Sequence, residues 1–202
     1  VIVLVRKRGA FVEAMNRVLK EAGLPVAGQD RLRLTDHIAI ADLMALGRAL
    51  TLPEDDLSLA AALKSPLFDF DDDDLMDLAR ADRRDGESLT AALRRRGPGH
   101  RRWGEPLARL ERWRELSGRL PPFELFMAIL AADGGRRRFV DRLGSEADDV
   151  LDEFLAMALA ADRGPPVSLG RFLEDLAAAA PESKRALAES RDEVRVVTVP
   201  GA

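Results

Sequence analysis

The sequence has 202 residues, 47% of them hydrophobic and 33% charged, which is the balance of a globular chain with material for a core rather than of a disordered one. No apolar run approaches the roughly 18–20 residues that cross a bilayer, no charged-then-apolar leader opens the chain, and the absence of cysteine excludes disulfides, thiolate zinc sites and cysteine nucleophiles. The formal net charge of -4 argues against a surface that binds nucleic acid throughout and leaves room for a local basic patch.

Val1–Val5 is a continuous apolar, β-branched run, the pattern of a strand covered on both faces in a parallel sheet. A helical pattern follows Gly9, with Phe11, Val12, Met15, Val18, Leu19 and Ala22 on one stripe. Gly23 stops it, and Leu24–Ala27 reads as a second short strand, giving a βαβ-like unit. From about Thr35 the pattern is helical. Thr35 or Asp36 is placed to cap a helix through Ile38, Leu43, Met44, Leu46 and Leu50. Pro53 is expected in the first turn of the next, with Glu54, Asp55 and Asp56 at the positive end of the dipole. Lys64–Phe68 breaks it, and Asp71–Asp74 leads into a helix through Leu75, Leu78 and Ala79. Arg94–Gly104 reads as a loop rich in glycine, proline and arginine. Helices are then expected at Leu107–Leu120, Phe123–Leu130, Glu146–Ala160 and around Leu169–Leu176. Val194–Val199 returns to strand character.

Strand-forming ends thus enclose a helical middle. The fold class expected is mainly α, within α+β: a helical insertion flanked by short parallel strands. Such an insertion is tolerated because loop closure costs free energy only logarithmically in loop length. The chain opens on a residue that reads as mid-strand and has no initiating methionine, so it reads as a piece of a larger protein.

Charge is segregated along the chain. Pro53–Asp77 carries nine acids and one lysine, net -8, whereas Arg94–Arg119 carries nine arginines against three glutamates, net +6. The cluster Asp69 with Asp71–Asp74 has neither the glycine nor the distant glutamate of a calcium loop, and carboxylates at a helix start account for it. No metal site is expected. Arg95, Arg96, Arg101 and Arg102, near Trp103 and Trp113, are candidates to meet nucleic-acid phosphate and base; the other reading is a solvated surface, or one paired with the acidic segment. Neither His37 nor His100 has a serine and an acid at a spacing that supports nucleophilic catalysis. There is no GxxxxGK[ST] loop and no GxGxxG after a strand, so the chain alone is not expected to hydrolyse a nucleotide.

Three segments together resemble one family. Val1–Arg8 looks like motif IV of UvrD-like superfamily 1 DNA helicases. Leu63–Phe68 followed by Asp71–Leu75 is similar to a stretch of the helical 2B insertion in the RecB and AddA branch. Asp192–Ala202 resembles the approach to motif V. The resemblance implies residues 1–35 and 181–202 as parts of a RecA-like motor domain, 2A, and residues 36–180 as 2B. It places Arg6 on the motif IV arginine that reaches the γ-phosphate of ATP, chemistry that suits a guanidinium at a strand end. It places Thr198 on the motif V threonine beside the DNA backbone. The family usually has histidine where this chain has Pro200, which offers no donor, and the Lys-Gly-Leu-Glu continuation is absent.

What the resemblance implies for the intact parent is an ATP-dependent DNA helicase–nuclease of the AddA type. It would be cytoplasmic, use ATP and magnesium, act on double-strand DNA breaks for recombinational repair, and work with a partner of the AddB type and no membrane. Its exonuclease would lie in a separate domain, and this fragment would be non-catalytic. The alternative from a different class is a protein-interaction module docked on a partner protein, with no direct DNA contact.

Overall fold

The computed structural model describes residues 2–5, 15, 18–19, 26–27, 34–80, 86–178 and 194–198. The chain divides into two units, one formed by its two ends, Val1–Arg33 with Pro181–Ala202, and one by Leu34–Ala180.

The first unit contains three strands, β1 (Ile2–Val5), β2 (Val26–Ala27) and β3 (Val194–Thr198), in the order β1-β3-β2. β1 and β3 pair in parallel with Ile2 opposite Arg195 and Val5 opposite Thr198, and β2 joins the other edge of β3 with Val26 opposite Val194. The strand at the end of the chain is therefore the central one, and the parallel crossover between β1 and β3 contains the whole helical unit. Of the helix read at Phe11–Ala22, the described residues are Met15, Val18 and Leu19, all helical. Val18, placed on the apolar stripe by its spacing, is 60% exposed.

The second unit is helical throughout its described residues, and the chain as a whole is mainly helical. Its centre is α1 (Ile38–Thr51), which buries residues all round its circumference, Ile40, Leu43, Leu46 and Ala49 among them. A helix buried on every side occupies the middle of a bundle. Accordingly α1 packs against α2 (Asp56–Lys64), α5 (Gly104–Ser117), α8 (Glu146–Asp162) and α9 (Leu169–Ala178). α3 (Asp72–Arg80) and α4 (Leu89–Arg96) pack on each other. α6 (Pro122–Met127), prolonged by a π-turn over Ala128–Ala132, and α7 (Gly135–Leu143) both lie against α8. Phe126, Phe154 and Phe172 pack edge to face between α6, α8 and α9, with centroids 4.7–6.3 Å apart, within the range favoured by the ring quadrupole.

Several helix starts differ from the sequence reading, each for a local reason. Leu34–Asp36 forms a 3-10 turn, and His37 is the cap of α1, its Nδ1 accepting from the Ala39 N–H at 3.2 Å. Pro53 lies in a turn ahead of α2, whose cap is Asp55; that carboxylate accepts from both the N–H and the hydroxyl of Ser58, at 3.0 and 2.6 Å. Side-chain acceptors satisfy the free N–H groups of a first turn better than an N-terminal proline alone. Asp71 and Asp74 cap α3 reciprocally, each accepting the other's N–H, at 2.7 and 3.2 Å. The arginine-rich stretch is loop only from Gly97 to Trp103, because Arg94–Arg96 belong to α4. The Phe123 N–H donates to Asp162 at 2.9 Å, so the end of α8 caps α6.

Candidate nucleic-acid interface

Most of the arginine charge is consumed inside the helical unit. The segment Ser65–Phe70 between α2 and α3 is buried except at Asp69, which adopts a positive φ of 57°. Four guanidinium groups close on this turn. Arg109 and Arg138 both donate to the Leu67 carbonyl, at 2.7 and 3.3 Å. Arg102 donates to the Asp69 carbonyl and to the Asp74 carboxylate, the latter at 3.0 and 2.8 Å. Arg142 pairs with the Asp69 carboxylate at 2.5 Å. Arginine suits this duty because its planar fork reaches several acceptors at once. The hydrogen bond from Arg102 holds the Asp74 carboxyl below the usual range and raises Arg102 in turn. Among the described residues there is no group of histidine and carboxylate side chains fit to hold a metal ion.

Arg109 is the most enclosed of these cations, its side chain 12% exposed. It lies over the rings of Phe68 and Trp113, 5.2 and 4.8 Å from their centroids, a cation–π arrangement that gains from desolvation. Burial, then the nearby Arg138, lower its affinity for the proton. Beside it, Asp133 accepts from Arg112 and from the Trp113 indole N–H, the latter at 2.6 Å. Burial pushes the Asp133 carboxyl up, but those two hydrogen bonds together outweigh it, and the group stays below its ordinary value. Neither Asp133 nor the α7 arginines stand out in the sequence; three successive arginines disguise a helix that buries little more than Phe139.

The four arginines proposed from sequence for DNA contact have separate fates. Arg95 forms a two-pronged pair with Glu87, both contacts at 2.9 Å. Arg96 donates to the carbonyls of Asp77 and Leu78, at 2.8 and 3.5 Å, and lies over the Trp103 ring at 4.4 Å. Arg102 holds the α2–α3 turn as described. Only Arg101 is exposed without an ion pair or hydrogen bond among the described residues. Arg6 lies outside the described residues. Of Thr198 the described feature is its place in β3, opposite Val5.

Arg101 sits at the tip of the turn joining α4 to α5. Gly97 enters the turn with no room for a side chain: a Cβ there would lie 2.6 Å from the Leu93 carbonyl and 2.8 Å from Leu107. Gly99 has a φ of 75°, a region that glycine occupies without strain. The His100 Nδ1 accepts from the N–H groups of both Arg102 and Trp103 at 3.3 Å, and its ring stacks on the buried Trp103 at 3.9 Å. Pro98, Gly99, His100 and Arg101 face solvent.

A mainly helical unit inserted in the crossover of a small parallel sheet is the architectural class, and the similarities to known proteins agree on one group. No family model matches the chain. It is 32% identical over 117 residues to the AddA-type ATP-dependent helicase/nuclease of Exiguobacterium sibiricum, a match covering 56% of this chain and 10% of the relative. It is 26% identical over 144 residues to the protein of the same name from Thermoanaerobacter pseudethanolicus, covering 69% of this chain and 11% of the relative. A second Thermoanaerobacter strain gives the same figures. This similarity supports kinship with the AddA group, and the matched region spans about a tenth of each relative's length. Among the described residues no helix is long and apolar enough to cross a membrane.

Proposed function

We propose that this chain is the helical 2B-type insertion, with flanking strands of the RecA-like 2A half, of an AddA-type ATP-dependent DNA helicase–nuclease that processes double-strand breaks. The observation that carries the reading is the parallel pairing of β1 with β3 across a crossover containing the whole helical unit. The similarity to proteins named helicase/nuclease supports it. In this reading residues 1–35 and 181–202 belong to the motor and residues 36–180 to 2B. Arg6, just after β1, contributes a cation to the γ-phosphate of ATP held with magnesium by the rest of the parent, and Thr198, at the end of β3, lies by the DNA backbone. The bound nucleotide supplies a phosphoryl group whose developing charge a guanidinium stabilises. The chain itself contributes no phosphate loop and is not an ATPase. A protein of the AddB type is the expected partner.

The test is Arg6→Ala in the full-length parent protein, assembled with its partner. DNA-stimulated ATP hydrolysis should fall by about 10³-fold or more, the scale of an arginine acting on the transferring phosphoryl group, while nucleotide binding persists. Unchanged hydrolysis overturns the motor assignment. The alternative, a module that docks on a partner protein without touching DNA, draws on Leu52 and Leu57, which are 55% and 82% exposed around the turn between α1 and α2. It requires Leu57→Glu to abolish assembly with the partner while leaving DNA binding intact.

A further inference from the structure

We infer that the α4–α5 hairpin, Gly97–Arg101, is a contact point for the phosphate backbone of duplex DNA, a narrower interface than the arginine content of the segment implies. The inference rests on the DNA-processing reading above. Arg94–Gly104 contains five arginines and no acid. Four of those five are committed within the unit: Arg94 to Glu111 at 2.9 Å, Arg95 to Glu87, Arg96 to the end of α3, and Arg102 to Asp74. The Arg101 guanidinium remains for an outside anion. At the same tip the backbone N–H groups of Gly99 and Arg101 make no hydrogen bond among the described residues. His100 adds another donor. Its Nδ1 is occupied as an acceptor, so the proton of the neutral ring is on the exposed Nε2. The tip therefore offers donors to solvent, which is the chemistry of an oxyanion site.

The hairpin is also held in place before any ligand arrives. Gly97 is closed against Leu93 and Leu107, a Cβ on Gly104 would lie 3.2 Å from the Gly97 carbonyl, and the Arg96, Trp103 and His100 side chains contact one another in a stack. Such rigidity spares the ordering entropy that a mobile loop loses on binding. The ligand class follows from what the tip lacks. Trp103 is 3% exposed, and no other aromatic residue besides His100 lies in the turn. Binding of single strands commonly uses exposed rings on which bases stack. A backbone contact without a stacking platform fits a duplex, whose phosphates lie outward and whose bases are already stacked.

The experiment measures binding of the 202-residue chain to a fluorescein-labelled blunt DNA duplex by anisotropy across a salt titration. Arg101→Glu should weaken binding by about fivefold or more at low salt, and Arg101→Ala should lower the slope of log K against log salt by about 0.9. Arg101→Lys should keep most of the affinity, and Arg119→Glu, at an exposed arginine just past the far end of α5, should keep nearly all of it. Equal losses at Arg101 and Arg119 would mean a diffuse field and overturn the hairpin. Stronger competition by an unlabelled single strand, or no duplex binding by the unaltered chain, would overturn it too. The Arg6 assay in the parent protein reads out the motor assignment separately, so either can fail while the other stands.

Discussion

Asp42 is expected to destabilise the helical unit at neutral pH, and its replacement by asparagine to stabilise it. The residue lies on α1, the helix at the centre of the bundle, and its carboxylate accepts no hydrogen bond among the described residues. Burial pushes its carboxyl up from 3.8 to about 6, against the opposing pull of the Arg142 guanidinium. A raised carboxyl binds its proton more tightly in the folded state than in the unfolded one. Stability therefore falls as pH rises from 3.8 to about 6 and stays low above that window. About 1.4 kcal/mol per pKa unit over this window sets an upper bound of about 3 kcal/mol. Solvent screening of the partly exposed carboxylate brings the expected gain for Asp42→Asn at pH 7.5 to about 1–2 kcal/mol. Trp103 and Trp113, the two tryptophans of the chain, are both buried in this unit, so tryptophan fluorescence during urea unfolding reports on it directly. The gain should shrink towards zero as the assay is taken to about pH 4. Equal stability at pH 7.5, or a gain that does not change with pH, would refute the reasoning.

Two further outcomes follow from other close contacts. Asp133→Ala strips the acceptor from the indole N–H of Trp113, a side chain with no exposure, and should cost about 1–3 kcal/mol in urea unfolding. Asp133→Asn should recover part of this by keeping an acceptor. Because the Asp133 carboxyl sits below 3.8 in the folded chain, the charge-dependent difference between aspartate and asparagine should hold from neutral pH down to about 5 and close as pH falls through the folded value. Gly97→Ala drives a methyl group to 2.6 Å from a main-chain carbonyl, which cannot rotate away. A loss of about 1–3 kcal/mol is expected, visible as a lowered melting temperature, with duplex affinity reduced alongside if the hairpin is the contact.

Where apolar spacing was clean, the sequence carried the fold. The stripe Ala147, Leu151, Phe154, Leu155, Ala158 places α8 within two residues of its bounds, and the β-branched runs at the two chain ends coincide with β1 and β3. Two helices were hidden by charge. α4 ends on three arginines, and α7 has three in its first turns, so neither shows a wide apolar stripe. Their burial depends on partners far away in sequence. Leu89 and Asp56 illustrate this, with the Leu89 N–H donating to the Asp56 carboxylate across 33 positions at 2.7 Å. Such contacts leave no periodic trace. The site suffered from the same limit. Composition shows that Pro53–Asp77 is acidic and Arg94–Arg119 basic, but not which arginine meets which acceptor.

That pairing changes what a basic segment means. An arginine whose guanidinium already meets a carboxylate or a carbonyl must give up that contact before it can bind a phosphate, and leaving a partly buried acceptor unmet costs about 1–3 kcal/mol. Arg102 would abandon both Asp74 and the Asp69 carbonyl; Arg109 would abandon the Leu67 carbonyl and two aromatic faces. An outside phosphate must offset those losses before it gains any affinity. Arg101 gives up water alone, and the glycines beside it let a phosphate approach the main chain without meeting a side chain. A surface that looks broadly cationic in sequence is thus reduced by folding to a narrow point. The two kinds of arginine are separable by mutation, since charge reversal at Arg102 should unfold the α2–α3 turn and lower thermal stability, whereas charge reversal at Arg101 should leave stability unchanged and alter only the binding of DNA.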